Sequence, residues 1–228
     1  MIDINNLGIT YDGKSVLNNL SVQFQEPQII GIAGLNGAGK STFFNILSGI
    51  VKPEIGEISS RQNTFDFKKV GYLETNNFFY SNITGNEYLN IFKGSNTQFQ
   101  LEVFQTHFKL PLNNLIETYS TGMKKKLALL GVLKQNKEIY LFDEPFNGLD
   151  LESNKILEWV ITALYNKGKT IFISSHIIDP LISICHQICI LEEGNFSKIF
   201  HKENFHQVEE AIFAKLKSQS QQNIQGAV

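Results

Sequence analysis

The chain has 228 residues, of which 42% are apolar, 11% aromatic and 18% charged, with a formal net charge of −2. This composition excludes an intrinsically disordered chain, and the near-neutral balance leaves no strong field to draw it to nucleic acid or anionic lipid. The chain is long enough to bury a substantial core without disulfides or a structural metal, and its two cysteines, Cys185 and Cys189, read as ordinary core residues of a reducing compartment.

At the N-terminus, residues 1–6 carry neither a basic region nor an apolar block, so no signal peptide is expected. Strand patterns follow. Ile2, Ile4 and Ile9 alternate with polar residues, Asp12-Gly13 marks a turn, and Leu20, Val22 and Phe24 alternate again. Residues 29–33 form a short apolar run of the kind that a strand buried on both faces shows. A glycine-rich turn and a helix through Leu47 come next, then short strands at 55–58 and 70–73. From about Asn76 the spacing turns helical and stays so to about residue 135, as in Tyr88, Leu89, Ile91 and Phe92. Strand–helix alternation resumes at Ile139, with a helix around Ile156 to Leu164, a strand at 170–174, a helix through Ile184 and a strand at 188–191. The most apolar stretch, 172–191, is broken by His176, Asp179, Pro180 and His186, which predicts no bilayer span and a cytoplasmic location. Such alternation predicts a largely parallel sheet covered on both faces, interrupted by a helical insertion at about 76–135. The last eighteen residues are polar and Gln-rich and are expected to fray.

Three features carry chemistry. Gly34-Leu35-Asn36-Gly37-Ala38-Gly39-Lys40-Ser41 fits G-x-x-x-x-G-K-[ST] at every fixed position, between a buried strand and a helix that continues through Thr42. Glycines there let backbone N–H groups wrap phosphates, the helix dipole adds to them, Lys40 offsets the β/γ oxygens and the Ser41 hydroxyl can ligate Mg²⁺. The apolar run Ile139 to Phe142 delivers Asp143 and Glu144 at its end, Asp143 suited to Mg²⁺ and Glu144 to polarising an attacking water. His176 ends the next strand at the same edge, where open α/β sheets bind ligands, and reads as a γ-phosphate sensor.

In the order of these elements the chain resembles the ATPase subunit of an ABC (ATP-binding cassette) transporter over roughly residues 1–205. Tyr119-Ser120-Thr121-Gly122-Met123 falls on that family's L-S-G-G-Q signature, Asn147-Gly148-Leu149-Asp150 on the loop after its catalytic acid, and Ser174-Ser175-His176 on its switch histidine. Tyr11 falls where the family has its adenine-stacking aromatic. The resemblance implies a P-loop NTPase core on a mostly parallel sheet, an N-terminal antiparallel β subdomain and an inserted α-helical subdomain. It implies one domain over 1–210, with 1–75 and 136–210 as catalytic core and β subdomain, 76–135 carrying the signature, and a polar tail at 211–228. It further implies ATP and Mg²⁺, a separate membrane permease, and an ATP-dependent homodimer or heterodimer in which Ser120 and Gly122, with Asp150, meet the nucleotide of the other subunit. The subunit itself is not expected to insert in the membrane; the permease would hold it at the inner face.

Two departures from the family pattern stand out. Thr121 and Met123 stand where a glycine and a glutamine are usual, a variant similar to that of simple two-component exporters. Thr75, preceded by Glu74, stands where the family has its Mg²⁺- and partner-contacting glutamine. Lys124-Lys125-Lys126 reads as a solvated helix face, with reinforcement of the phosphate site as the alternative. Phe78-Phe79-Tyr80 reads equally as a permease contact or as core. The competing function is a soluble, non-transport ATPase of the same family, such as the iron–sulfur assembly type.

Overall fold

The structure is a computed structural model, and it describes residues 1–60, 63–92 and 99–213. Its strands are β1 (Ile2–Tyr11), β2 (Lys14–Phe24), β3 (Ile29–Ala33), β4 (Ile55–Ser60), β5 (Asn63–Thr64), β6 (Val70–Leu73), β7 (Ile139–Asp143), β8 (Thr170–Ser175), β9 (Gln187–Glu192) and β10 (Asn195–His201). Its helices are α1 (Lys40–Leu47), α2 (Gly85–Ile91), α3 (Leu101–Phe108), α4 (Thr121–Lys134), α5 (Leu151–Asn166) and α6 (Asp179–Ile184).

Two sheets result. The first is antiparallel, in the order β2-β1-β4-β5; β1 and β2 are joined by Asp12 and Gly13, both at positive φ as a two-residue hairpin turn requires. The second has the order β10-β9-β3-β8-β7-β6 and is parallel except for β10. Every residue of β3, β7 and β8 is buried. Their side chains divide by parity between two cores. Ile171 and Ile173 face the helical side with Phe142, Leu157 and Ile161, whereas Phe172 packs with Leu141, Phe24 and Phe43 under the antiparallel sheet. Each such side chain contributes about 1.5–3 kcal/mol of transfer free energy, so both sheet faces are firmly held.

Helix α4 explains the helical stretch between β6 and β7. Leu127 to Leu133 are all buried, so this helix is enclosed on every side rather than lying on a surface. Tyr88 of α2 packs on it and its hydroxyl is pushed up to about 12, chiefly by burial. Among the described residues no helix is long and apolar enough to cross a membrane.

Three features differ from the sequence pattern. Strand β10 was not anticipated, because it is an edge strand whose residues are mostly exposed and so lack a core periodicity. Helix α6 has only six residues, with Pro180 in its first turn and extended backbone at Cys185; Cys189 lies in β9, and both thiols are buried and free. Residues 208–213 are helical, with Val208 buried and Ala211 and Ile212 packed on the helical-side core. From residue 214 on, the polar tail lies outside the described residues.

Helix α5 starts at a cap that also belongs to the site. The Asp150 carboxylate accepts from the Ser153 amide at 2.8 Å, and its pKa is held down at about 2 by that amide, by the Ser153 hydroxyl and by Lys126. A carboxyl lowered by folding stabilises the native state above its unfolded value near 4 and ceases to do so as the pH falls toward 2. Asp150→Ala is therefore expected to lower unfolding stability by about 1 kcal/mol at pH 7, Asp150→Asn by less. The gap between wild type and Asp150→Ala should narrow below about pH 4, as measured by urea denaturation across pH.

Candidate active site

The order β6-β7-β8-β3 brings four chain segments to one carboxyl edge. Behind β6 comes Thr75, behind β7 Glu144, behind β8 His176, and behind β3 the glycine-rich loop that opens α1. Fully buried parallel strands admit almost no polar side chains, so polar groups gather where the strands end. They enclose a cavity of about 390 Å³, lined by Asn36, Gly37, Gly39, Lys40, Ser41 and Thr42 on the loop side and by Thr75, Glu144, Asn147 and His176 opposite, with Val16 of β2 at its rim.

The loop's glycines have distinct reasons. A β-carbon at Gly34 would lie 2.5 Å from the Leu191 carbonyl oxygen, so β9 could not pass so close to any other residue. Gly39, the residue before α1, has φ +104°, a conformation that residues with a β-carbon rarely adopt. Lys40 is buried, and its ammonium donates to the carbonyls of Gly34 at 2.7 Å and Leu35 at 3.3 Å while standing 3.4 Å from Glu144 Oε1.

Glu144 is the centre of the site. Its Oε2 lies 2.9 Å from His176 Nδ1 and accepts from Asn147 Nδ2 at 3.3 Å. Its backbone is left-handed, at φ +48°, a strain of about 1–3 kcal/mol for a residue with a β-carbon. Neighbouring bonds hold it there: its amide donates to Ser174 Oγ at 2.9 Å, and its carbonyl accepts from Lys125 Nζ at 2.6 Å. Asp143 is buried and does not line the cavity; one carboxylate oxygen accepts from the Ser174 hydroxyl and the other lies 3.5 Å from the Tyr72 hydroxyl. Burial, then the Asp143 charge, pushes the Tyr72 hydroxyl well up, and the same two causes raise the Glu74 carboxyl.

Other candidates lie apart from this cavity. Gly34, Leu35 and Ala38 face a second cavity of about 520 Å³ behind the loop, shared with Asn36 and Gly37. Tyr11 is 44% exposed at the hairpin whose second strand supplies Val16. Ser120 caps α4, accepting from the Met123 amide at 3.3 Å, and is exposed with Thr121, away from its own chain's cavity. Gly122 packs this turn against the loop after Glu144, since a β-carbon there would meet the Gly148 carbonyl oxygen at 2.9 Å. Asp150 at the end of that loop pairs with Lys126 at 3.2 Å. Thr75 Oγ1 points at the Asp143 carbonyl, 3.4 Å away.

The solvated-face reading of the three lysines is wrong for Lys125. It is 7% exposed, and its ammonium donates to the carbonyls of Glu144 and Asn147. Burial lowers its pKa, while the charges of Glu144 and Asp143 act the other way. Lys126 spans from Asp150 to the face of the Phe108 ring. Asn147 and Ser174 also escaped the sequence reading as site residues: neither carries a charge, and only the turn after β7 aims Asn147, and the β7–β8 pairing Ser174, at the acids.

Loop, helix and acids in this arrangement make the fold that of a P-loop nucleoside triphosphatase. The family model for the ABC transporter matches residues 17–147. Bacitracin transport ATP-binding protein BcrA of Enterococcus faecalis is 30% identical over 224 residues, covering 90% of this chain and 72% of its own. Nod factor export ATP-binding protein I of Burkholderia thailandensis is 29% identical over 210 residues, covering 85% and 68%. Among solved structures, an ATP-binding subunit of an ABC transporter superposes with a TM-score of 0.80 at 22% identity, covering 93% of this chain and 94% of that one. The dimeric cassette MJ0796, bound to ADP and Pi in a post-hydrolysis state, gives 0.77 at 23%, covering 89% and 99%. The chain belongs to the ABC transporter family. It is an ATP-binding, ATP-hydrolysing subunit of that family, with a P-loop core, an antiparallel N-terminal sheet and a helical insertion.

Two expectations follow at the cavity. Lys40→Ala removes the charge beside the phosphates, and ATP affinity should fall at least tenfold, about 1.4 kcal/mol, in a titration with a fluorescent ATP analogue. Thr75→Ala should change Mg²⁺-dependent ATPase activity less than about threefold, since its hydroxyl faces a backbone carbonyl.

Proposed function

We propose that this subunit drives export through a separate membrane permease by closing on ATP with a second subunit and reopening after hydrolysis. The observation that carries the reading is the Glu144 carboxylate, held between Lys40, His176 and Asn147 at the mouth of the phosphate cavity. ATP enters with its phosphates along Asn36 to Thr42 and its base toward Tyr11. Lys40 leaves Glu144 for the β/γ oxygens, which frees the carboxylate to take a proton from water as the water attacks the γ-phosphorus. The bond to the bridging oxygen breaks, ADP keeps that oxygen, and His176 hydrogen-bonds the departing phosphate. The donor set suits Mg²⁺, which needs only one or two carboxylates alongside phosphates and water. Ser41, which lines the cavity, would hold it, with Asp143 behind the cavity wall acting through water, and it would neutralise charge building on the phosphates; Thr75 and Glu74 are the nearest substitutes for the family's glutamine.

Export is favoured by the names of the relatives, which include a Nod factor exporter and a bacitracin transporter. The exposed turn bearing Ser120, with Gly122 behind it, supports a composite site completed by another subunit. We assign the second subunit as a copy of this chain. Permease contact belongs to Phe78 and Tyr80, which are 77% and 60% exposed, stack edge to face, and border a groove floored by Ile116. An attached permease would keep the subunit at the inner membrane face. The boundaries 1–210 and 76–135 remain our division of the chain into one ATPase domain and its signature-bearing insertion, with the packed part running on through Ala211 and Ile212.

Glu144→Gln keeps the shape but cannot accept the proton, so ATPase turnover should fall by roughly 10²–10⁴ with ATP affinity retained. That variant should elute as a dimer with MgATP and as a monomer with ADP, and adding Ser120→Arg should abolish the dimer. Elution as a monomer with MgATP bound would sink the homodimer.

A further inference from the structure

Two lysines of α4 reach the loop following β7; Lys126 pairs with the Asp150 carboxylate, whereas the buried ammonium of Lys125 bonds the backbone carbonyls of Glu144, at 2.6 Å, and Asn147, at 2.8 Å. These two residues are the ends of one turn, closed by the Asn147 amide donating to the Glu144 carbonyl at 3.3 Å. The far end of the turn returns its own side chain, Asn147 Nδ2, to the carboxylate of Glu144. The near end is the left-handed residue Glu144 itself. An ammonium withdrawn from water needs such partners, and a strained turn needs an anchor on its carbonyl side, because Ser174 reaches only the amide side.

Lys125 sits in the same opening stretch of α4 that Ser120 caps and that Gly122 packs against the Gly148 carbonyl. We propose that Lys125 is a positioning residue for ATP hydrolysis, clamping the Glu144–Asn147 turn so that the Glu144 carboxylate is aimed into the phosphate cavity and tying that aim to the turn that carries Ser120. It does not line the phosphate cavity and works through Glu144, so the proposal rests on the reading of Glu144 as the base. Without the clamp, the Asn147 carbonyl loses its donor and the Glu144 carbonyl keeps only the Asn147 amide, so the turn relaxes toward right-handed backbone at Glu144 and Asn147 loses its hold on the carboxylate. The P-loop is untouched, so binding and turnover separate.

The test is a double-mutant cycle with nucleotide affinity measured alongside. Lys125→Met fills the same volume without donors; kcat should drop at least tenfold while the ATP dissociation constant stays within threefold. Lys125→Gln, whose carboxamide nitrogen offers two N–H donors, should recover at least a third of the wild-type kcat. In the Glu144→Gln background, Lys125→Met should cost less than a further twofold, because the carboxylate it positions no longer acts. A kcat within twofold of wild type for Lys125→Met, a matching loss of ATP affinity, or losses that multiply in the double variant would each overturn the proposal. Should Lys125→Met not fold, Lys125→Ala, which leaves room for water at both carbonyls, runs the same cycle under the same criteria. Glu144→Gln alone decides the underlying reading: undiminished turnover there would remove Glu144 as the base, whereas a large loss there with an innocuous Lys125→Met overturns only the role of Lys125.

Discussion

Strand β3 is hydrogen-bonded to a parallel partner on each side and covered above and below, and that enclosure governs where chemistry can occur. The strand carries no polar side chain, and along Ile139 to Phe142 and Ile171 to Ile173 the one polar side-chain group is the Tyr140 hydroxyl, which accepts from the Lys137 amide at 3.0 Å. Charged groups are therefore displaced to the carboxyl edge, where the strand order sets their neighbours. Because β7 lies next to β8 and β8 next to β3, Glu144, His176 and Lys40 meet although they are far apart in the chain. The Lys40–Glu144 ion pair and the contact of Glu144 with His176 follow from topology, and the acid's unusual backbone is sustained by bonds from β8 and α4.

Much of this was legible in the sequence, for identifiable reasons. The buried strands announce themselves as unbroken β-branched and aromatic runs, and the glycine-rich loop has a spacing that few other structures need. Helical periodicity between Tyr88 and Lys134 marked the insertion. Strand β10 was not legible, because an exposed edge strand has no core face to give it a period. Asn147 and Ser174 escaped because uncharged hydrogen-bonding groups look the same in a turn or at a strand end whether or not they serve a site. Lys125 was misread for a sharper reason. Three consecutive lysines on a helix point about 100° apart, so one of them can face inward while the run as a whole looks solvated.

The position held by Thr75 shows how local chemistry is redistributed. Its hydroxyl is directed to the Asp143 carbonyl, and the polar group nearest it in sequence, Glu74, has its carboxyl raised by burial and by the charge on Asp143. Tyr72 completes the set by setting its hydroxyl near Asp143. The end of β6 thus sets a phenol near the carboxylate of the buried acid, brings a second carboxyl within range of its charge and directs a hydroxyl at its backbone carbonyl.

The attachment of α4 to the loop after β7 has a mechanical consequence. Lys125, Lys126 and Gly122 fasten the start of that helix at three points along residues 144–150. The exposed cap at Ser120 and the buried acid are thereby joined through one set of contacts, like the two arms of a rocker, one outside the subunit and one inside. By linkage, whatever presses on the outer arm shifts the free energy of the inner arm by the same amount that the inner arm's occupant shifts the outer contact. In a symmetric pair each subunit would carry such a rocker, and a nucleotide in either pocket would be sensed in the other without any contact between the two.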